Sequence, residues 1–367
     1  MISEMKCSLL LFLLFPVLAF AGKDGETAEK KIKRDFGIQA NGHLGIDNKY
    51  GDLDIAIGPD NQIKFDITIK ATAGSLKKAE EAIDRITVNF SEGINRVDAI
   101  TQIESTSSWS SWFNSGNQSI EINYQVLVPR SVYLELQNKY GSIYVESTDR
   151  DAKIDLAYGD IRLGDINGSL DLDIAYSEGS LSQIKNGDFN LAYSEIEMEN
   201  SQSLKVEMKY SELAMGSSIR LNAVSAYGDL KGDDVDEVVY SGKYDDVRFE
   251  RVKTISVDCA YTGVEVGGLA TSGSFDMRYG DLSIDNVWPG FKSINISTSY
   301  TGVEIGFQEG ASFTLDAETS YCDINSDGEF KVSQRITKDS HTTLTATRGT
   351  GGGVVKAVMN YGELNIE

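Results

Sequence analysis

Thirteen times in 367 residues a tyrosine is followed by a small or turn-forming residue, and in ten of those copies the next position is acidic. The acids are Asp52, Asp160, Glu178, Glu195, Glu212, Asp229, Asp246, Asp281, Asp323 and Glu363. Carboxylates in this number could do two kinds of chemistry. A column of them could recruit calcium, which takes about six to eight oxygen ligands. A pair at a set separation could cleave a glycosidic bond, one as acid and the other as base or nucleophile. Nothing picks out such a pair. Glu alternates with Asp along the row and no partner acid stands at a fixed offset, so the row reads as solvated turn acids, splayed and screened by salt. No metal or other cofactor is called for.

The remaining chemistry-bearing residues are few. There are two histidines, His43 and His341, and neither belongs to an H-E-x-x-H motif or a metal-spaced Cys/His cluster. No nucleophile–base signature is present. The run Arg348-Gly349-Thr350-Gly351-Gly352-Gly353 loosely resembles a phosphate loop, but no Lys-Ser/Thr follows it. The chain is therefore expected not to be an enzyme. One candidate contact patch stands out: Trp109, Trp112 and Phe113, in a Ser/Asn/Gly-rich stretch over residues 105–119, could touch a ligand or tuck down onto the fold.

The elements that must carry these residues follow from the spacing of the tyrosines. From Tyr140 to Tyr321 the intervals are 18, 18, 17, 17, 17, 17, 17, 18, 21 and 21 residues. A fixed period carried so far marks a stacked repeat. Within residues 154–163, apolar side chains alternate up to Tyr158, break at Gly159-Asp160 and resume at Ile161 and Leu163. Alternation is the mark of a strand with one buried face, and Gly-Asp supplies a corner. No helical pattern long enough for a crossover lies between the strands, so the fold expected is all-β. It is a parallel β-helix, or β-solenoid, of ~17–18-residue coils stacked at about 4.8 Å, right-handed as such crossovers overwhelmingly are. On this reading the tyrosines continue the inward phase and form a buried, stacked corner. Aliphatics such as Ile166, Ile184, Val235, Val252 and Leu269 fill a second corner from inside.

Taken in order, residues 1–21 read as a signal peptide: Lys6, an apolar run from Leu9 to Phe20, and a small-x-small site at Ala19-Phe20-Ala21. Residues 22–35 are polar and read as a flexible lead-in. Residues 36–130 read as an N-terminal α+β cap containing a first repeat unit around Tyr50. It has a clean strand at residues 63–69 and a helix at residues 75–86 that Ser75 can cap. Residues 131–367 read as the solenoid, with a degenerate coil or hairpin over residues 330–353 and one last repeat at Tyr361. Cys259 and Cys322 fall on coils three steps apart, beyond disulfide reach. Cys259 reads as a small core residue.

The net charge of −22 disfavours nucleic acid and anionic lipid as partners. No segment beyond the signal region is apolar for long enough to span a membrane. The stretches Asn48-Lys49-Tyr50-Gly51-Asp52-Leu53 and Leu136-Gln137-Asn138-Lys139-Tyr140-Gly141, with Val128-Pro129 before the second, resemble the bacterial putative-adhesin domain family. The resemblance runs through residues 164–170 and over most of the chain. It implies a right-handed β-helix on an exported protein and carries over no catalytic or binding residue. The function expected is an exported, monomeric, non-enzymatic solenoid in the periplasm or at the cell surface, binding an unidentified protein or glycan. The alternatives are a carbohydrate-active β-helix enzyme or a periplasmic partner in envelope signalling.

Overall fold

The computed structural model describes residues 21–22, 25–104, 118–327 and 330–367. Trp109, Trp112, Phe113 and residues 1–20 of the expected signal peptide (residues 1–21) lie outside the described residues. The rest is a β-solenoid.

Its regular body runs through β9 (Tyr133–Lys139), β10 (Ile143–Thr148), β11 (Ala152–Ala157) and then near-complete wraps. These are β12 (Asp160–Ala175), β13 (Glu178–Ala192), β14 (Glu195–Lys209), β15 (Glu212–Ala226), β16 (Asp229–Lys243) and β17 (Asp246–Ala260). Each wrap pairs in parallel with the next, in register over both halves of the coil, as in Ile196↔Leu213 and Val206↔Ala223. The alternation in sequence sends Ile196, Met198, Leu204, Val206 and Met208 inward, and all five are buried. The second corner is filled by Ile166, Ile184, Val235, Val252 and Leu269, also buried. Large and small core residues compensate between positions. A Cβ on Gly187 would come within 2.7 Å of the Phe189 ring, so the glycine leaves the space that the ring fills.

The N-terminal segment wraps one coil and then leaves. Strands β3 (His43–Lys49) and β4 (Leu53–Ile57) stack on β9 and β10 as an ordinary coil. Between them and β9 come β5 (Gln62–Ala73), α1 (Leu76–Asp84), β6 (Ile86–Gly93), β7 (Arg96–Ile103) and β8 (Ser119–Val128). These extend both faces: β5 and β8 pair antiparallel beyond β4, while β7 lies beside β3 and β6 beside β7. Helix α1 packs chiefly against β5 and the strand over Gly25–Gly37, and buries Ala79, Ala82 and Ile83. Ser75 makes no side-chain cap; the Leu76 amide donates instead to Glu26 Oε2 at 2.6 Å.

Glu26 belongs to a strand where a lead-in was expected. Two residues, β1 (Ala21–Gly22), pair with the start of β2 (Gly25–Gly37), and β2 runs antiparallel to β5 through twelve residue pairs. The sequence concealed β2 because an edge strand needs only one covered face. Its apolar positions Ala28, Ile32 and Phe36 are diluted by four lysines and arginines. Phe36 anchors it, with its ring 5.9 Å from Phe65 and 5.4 Å from Phe90.

The C-terminal end departs from chain order. After β18 (Gly263–Val266) and β19 (Leu269–Val287) come β20 (Ser293–Phe307), β21 (Phe313–Ser326), the antiparallel hairpin β22 (Phe330–Lys338) and β23 (His341–Arg348), and β24 (Gly353–Ile366). Strand β24 does not add to the end. It inserts between β20 and β21, parallel to both. The hairpin over residues 330–348 lies on the far side of β21, through antiparallel β21–β23 pairing. Among the described residues no helix is long and apolar enough to cross a membrane.

Candidate functional site

The site is built at the first corner of every coil. All thirteen repeat tyrosines have φ between 51° and 62°, a left-handed conformation that a bulky side chain rarely adopts. This one residue reverses the side-chain phase. In the coil of Tyr193, Phe189 and Leu191 point inward, Tyr193 points out, and Ser194 and Ile196 point inward again. The expected buried tyrosine corner is thereby corrected: except for half-buried Tyr50, the ladder side chains are 42–61% exposed. The stacking expected between coils is present, outside rather than inside.

Backbone hydrogen bonding explains why the corner tolerates this conformation. The Tyr193 amide donates to the Lys209 carbonyl of the next coil, and the Glu195 amide to the Ser177 carbonyl of the previous one. Between them the Ser194 amide donates to Ser211 Oγ at 3.1 Å, and Ser194 Oγ donates to the Ala192 carbonyl at 2.9 Å. Buried Ser177, Ser194 and Ser211 thus form a hydroxyl ladder that pairs the amides left over at the turn. The sequence signal was available: the residue after the tyrosine is always Gly, Ser, Thr, Asp or Cys. One copy carries a carboxylate inward. Buried Asp245 accepts from Tyr240 Oη at 2.5 Å, Ser225 Oγ at 2.9 Å and the Gly228 amide at 2.8 Å. Burial, and then Asp245 itself, hold the Tyr240 phenol far above its ordinary range.

Outside, the rings form one continuous stack from Tyr50 through Tyr140 to Tyr300, then Tyr361 and Tyr321. Neighbouring centroids are 4.9 Å apart along most of it, with planes within 12° there. Tyr361 enters out of sequence, 4.7 Å from Tyr300 and 4.8 Å from Tyr321, because β24 is inserted. Thirteen rings at one coil spacing make a wall roughly 60 Å long.

Beside the wall run the turn acids. Asp160, Glu178, Glu195, Glu212, Asp229 and Asp246 are consecutive in-register partners, so six carboxylates stand on six successive coils. Gly263 interrupts the row next. An open groove of about 780 Å³ lies between the acids and the rings of Tyr176, Tyr193, Tyr210, Tyr227 and Tyr244. Its charge is poorly compensated. Lys231 reaches Glu212 at 2.5 Å. Burial, and then the charges of Glu212 and Asp246, raise the Asp229 carboxyl above its ordinary range. Cations already rest on the wall: Lys139 Nζ lies 5.1 Å from the Tyr140 ring centre and Lys209 Nζ 5.8 Å from that of Tyr210.

The two histidines are far apart in the fold. His43 sits among Glu135 (2.9 Å) and Arg96 (3.1 Å) on the N-terminal coils, and His341 lies beside Ser320 on the end hairpin. Cys259 and Cys322 are both free; burial pushes the Cys259 thiol up to about 12.

Comparison with known proteins gives a family and a few distant structures. The family model described as Toastrack DUF4097 matches residues 98–367. No curated protein matches the chain. Three solved structures align over most of their length. A "putative cell adhesion protein" from Clostridium sporogenes is 9% identical, with 92% of this chain and 99% of that one covered and a TM-score of 0.19. A "putative lipid binding protein" from Parabacteroides distasonis is 12% identical, over 92% and 96%, with a TM-score of 0.27. A "putative adhesin" from the same organism is 10% identical, over 89% and 97%, with a TM-score of 0.26.

Proposed function

The chain belongs to the Toastrack DUF4097 family, and on that footing we propose that it is an exported, non-enzymatic binding rod of the bacterial envelope. Its binding surface is the tyrosine–carboxylate groove. The observation that carries this reading is the groove itself: an exposed aromatic wall facing six carboxylates on successive coils. An extended ligand lying along the rod axis meets the same pair of groups at every step. The poorly compensated charge favours a positive ligand, and the ring edges and hydroxyls, the ring faces being covered by stacked neighbours, offer it packing surface and hydrogen-bonding groups. We take the partner to be an extended basic segment of a protein. The signal-like residues 1–21 support export to the periplasm or cell surface. The aromatic stretch remains part of the proposal, with Trp109, Trp112 and Phe113 as a second contact patch.

A labelled Lys-Thr repeat peptide tests the groove by fluorescence anisotropy, beside a Glu-Thr repeat of equal length. The Lys-Thr peptide should bind, and Glu195→Gln with Glu212→Gln should weaken it markedly. Asp171→Asn with Asp173→Asn removes the same charge from exposed sites outside the groove and should weaken it far less. Equal losses from both pairs would mean that only net charge is being read, and the groove would be the wrong site. Trp109→Ala with Trp112→Ala, assayed the same way, tests the aromatic stretch.

A further inference from the structure

Strand β24 fills a slot that the neighbouring chain does not itself require. Tyr279 and Tyr300 are 21 residues apart and their rings are adjacent at 4.9 Å. Tyr300 and Tyr321 are also 21 residues apart, yet the ring of Tyr361 lies between them. A connection of the same length therefore spans one coil step in the first case and two in the second. The gap between β20 and β21 is held open by the strand inside it. That strand is matched to the slot on both sides: it pairs in register with each neighbour and buries Val355, Ala357, Met359, Leu364 and Ile366. Gly362 is required there, since a Cβ would fall 2.2 Å from the Thr301 carbonyl oxygen.

The connection into β24 has the composition of a hinge. Residues 349–352 read Gly-Thr-Gly-Gly, with Gly349 at φ 68° and Gly351 at φ 78°. Glycines in that conformation extend at little cost. We propose that the slot between β20 and β21 is a self-association site whose partner is β24 of a second copy of this chain, exchanged reciprocally through this hinge. Exchange reproduces every contact of the closed form, so the balance between monomer and dimer is set by concentration and by the hinge. Once the strand is out, only the segment beyond β20 must open, because solenoid coils couple chiefly to their nearest neighbours.

The test uses the full chain. Ser297 and Val358 are exposed partners across the β20–β24 ladder. One preparation carries Ser297→Cys alone and the other Val358→Cys alone. They are mixed, warmed to loosen the end, cooled and oxidised, and the 297–358 linked peptide is sought by mass spectrometry. The double variant Ser297→Cys/Val358→Cys in a single chain confirms that the pair can close. We expect a linked heterodimer whose ratio to monomer rises in proportion to chain concentration. Deleting Gly351 and Gly352, which shortens the hinge, should raise the dimer fraction severalfold. Linkage in the double variant but none in the mixture, across the concentration range, would overturn the proposal. So would a dimer whose linkage does not involve residues 297 and 358.

Discussion

Replacing Tyr193 by alanine measures what the outer stack contributes. The ring lies 4.9 Å from both Tyr176 and Tyr210, with planes within 12°, and its side chain is half exposed. Covering half of a large side chain is worth about 1 kcal/mol. Two aromatic contacts at ~0.5–1.5 kcal/mol each add to that, at the lower end because the rings stay half exposed to water. Tyr193→Ala should therefore cost about 2–3 kcal/mol. Phe189→Ala, in the same coil but fully buried, should cost ~3–5 kcal/mol, since it leaves a cavity. The backbone supplies an internal control. Tyr193 sits at φ 52°, where any residue with a Cβ pays roughly 1–2 kcal/mol and glycine does not. Tyr193→Gly should thus be about 1 kcal/mol less destabilising than Tyr193→Ala. Urea unfolding gives the order, and hydrogen exchange should localise the loss to coils around Tyr193. If Tyr193→Ala is as costly as Phe189→Ala, or glycine is worse than alanine, the outward left-handed corner is wrong.

Two further outcomes follow from the charges and thiols. Asp229 has a raised folded pKa, so the folded state holds its proton more tightly than the unfolded state. Its contribution is fully favourable below the unfolded value and is lost as pH rises through the folded one. Asp229→Asn should therefore stabilise the chain at pH 7 by less than about 1 kcal/mol, given solvent screening. The gain should vanish on acidification below the ordinary carboxylate range; thermal melts across pH 3–7 check the sign. Iodoacetamide under native conditions should label half-buried Cys322 well before Cys259, whose thiol is buried and pushed up to about 12; peptide mass mapping reads the order, and faster labelling of Cys259 would contradict its place in the core.

Much of this architecture was legible because stacking repeats one constraint on every coil. Alternation placed Ile196, Met198, Leu213 and Met215 inward, and the 17–18-residue period fixed the coil. What alternation could not reveal was the slip at the tyrosine. One left-handed residue advances the chain without using an inward position, so Tyr193 leaves the phase that Leu191 and Ile196 share. The residue that follows was the trace of it, since every copy carries Gly, Ser, Thr, Asp or Cys under the corner. Other features depend on partners distant in sequence. Strand β2 exists because β5 offers an edge, and the helix is capped by Glu26 rather than Ser75. The insertion of β24 leaves no local mark, because its sequence is that of any other coil. The candidate groove was half visible: the acid row could be read, but with the rings assigned inward it had no wall to face.

The central claim is that the groove between the tyrosine stack and the carboxylate row is the binding surface. Tyrosine nitration by tetranitromethane, mapped by mass spectrometry with and without the Lys-Thr peptide, tests it most directly. In the free protein the exposed ladder should be modified, while buried Tyr124 and Tyr240 are spared. With peptide bound, protection should be confined to the ladder from Tyr176 to Tyr244, and half-buried Tyr133 and Tyr144 should react as before. Protection spread evenly over all accessible tyrosines, or none on the ladder while the peptide is bound, would contradict the account.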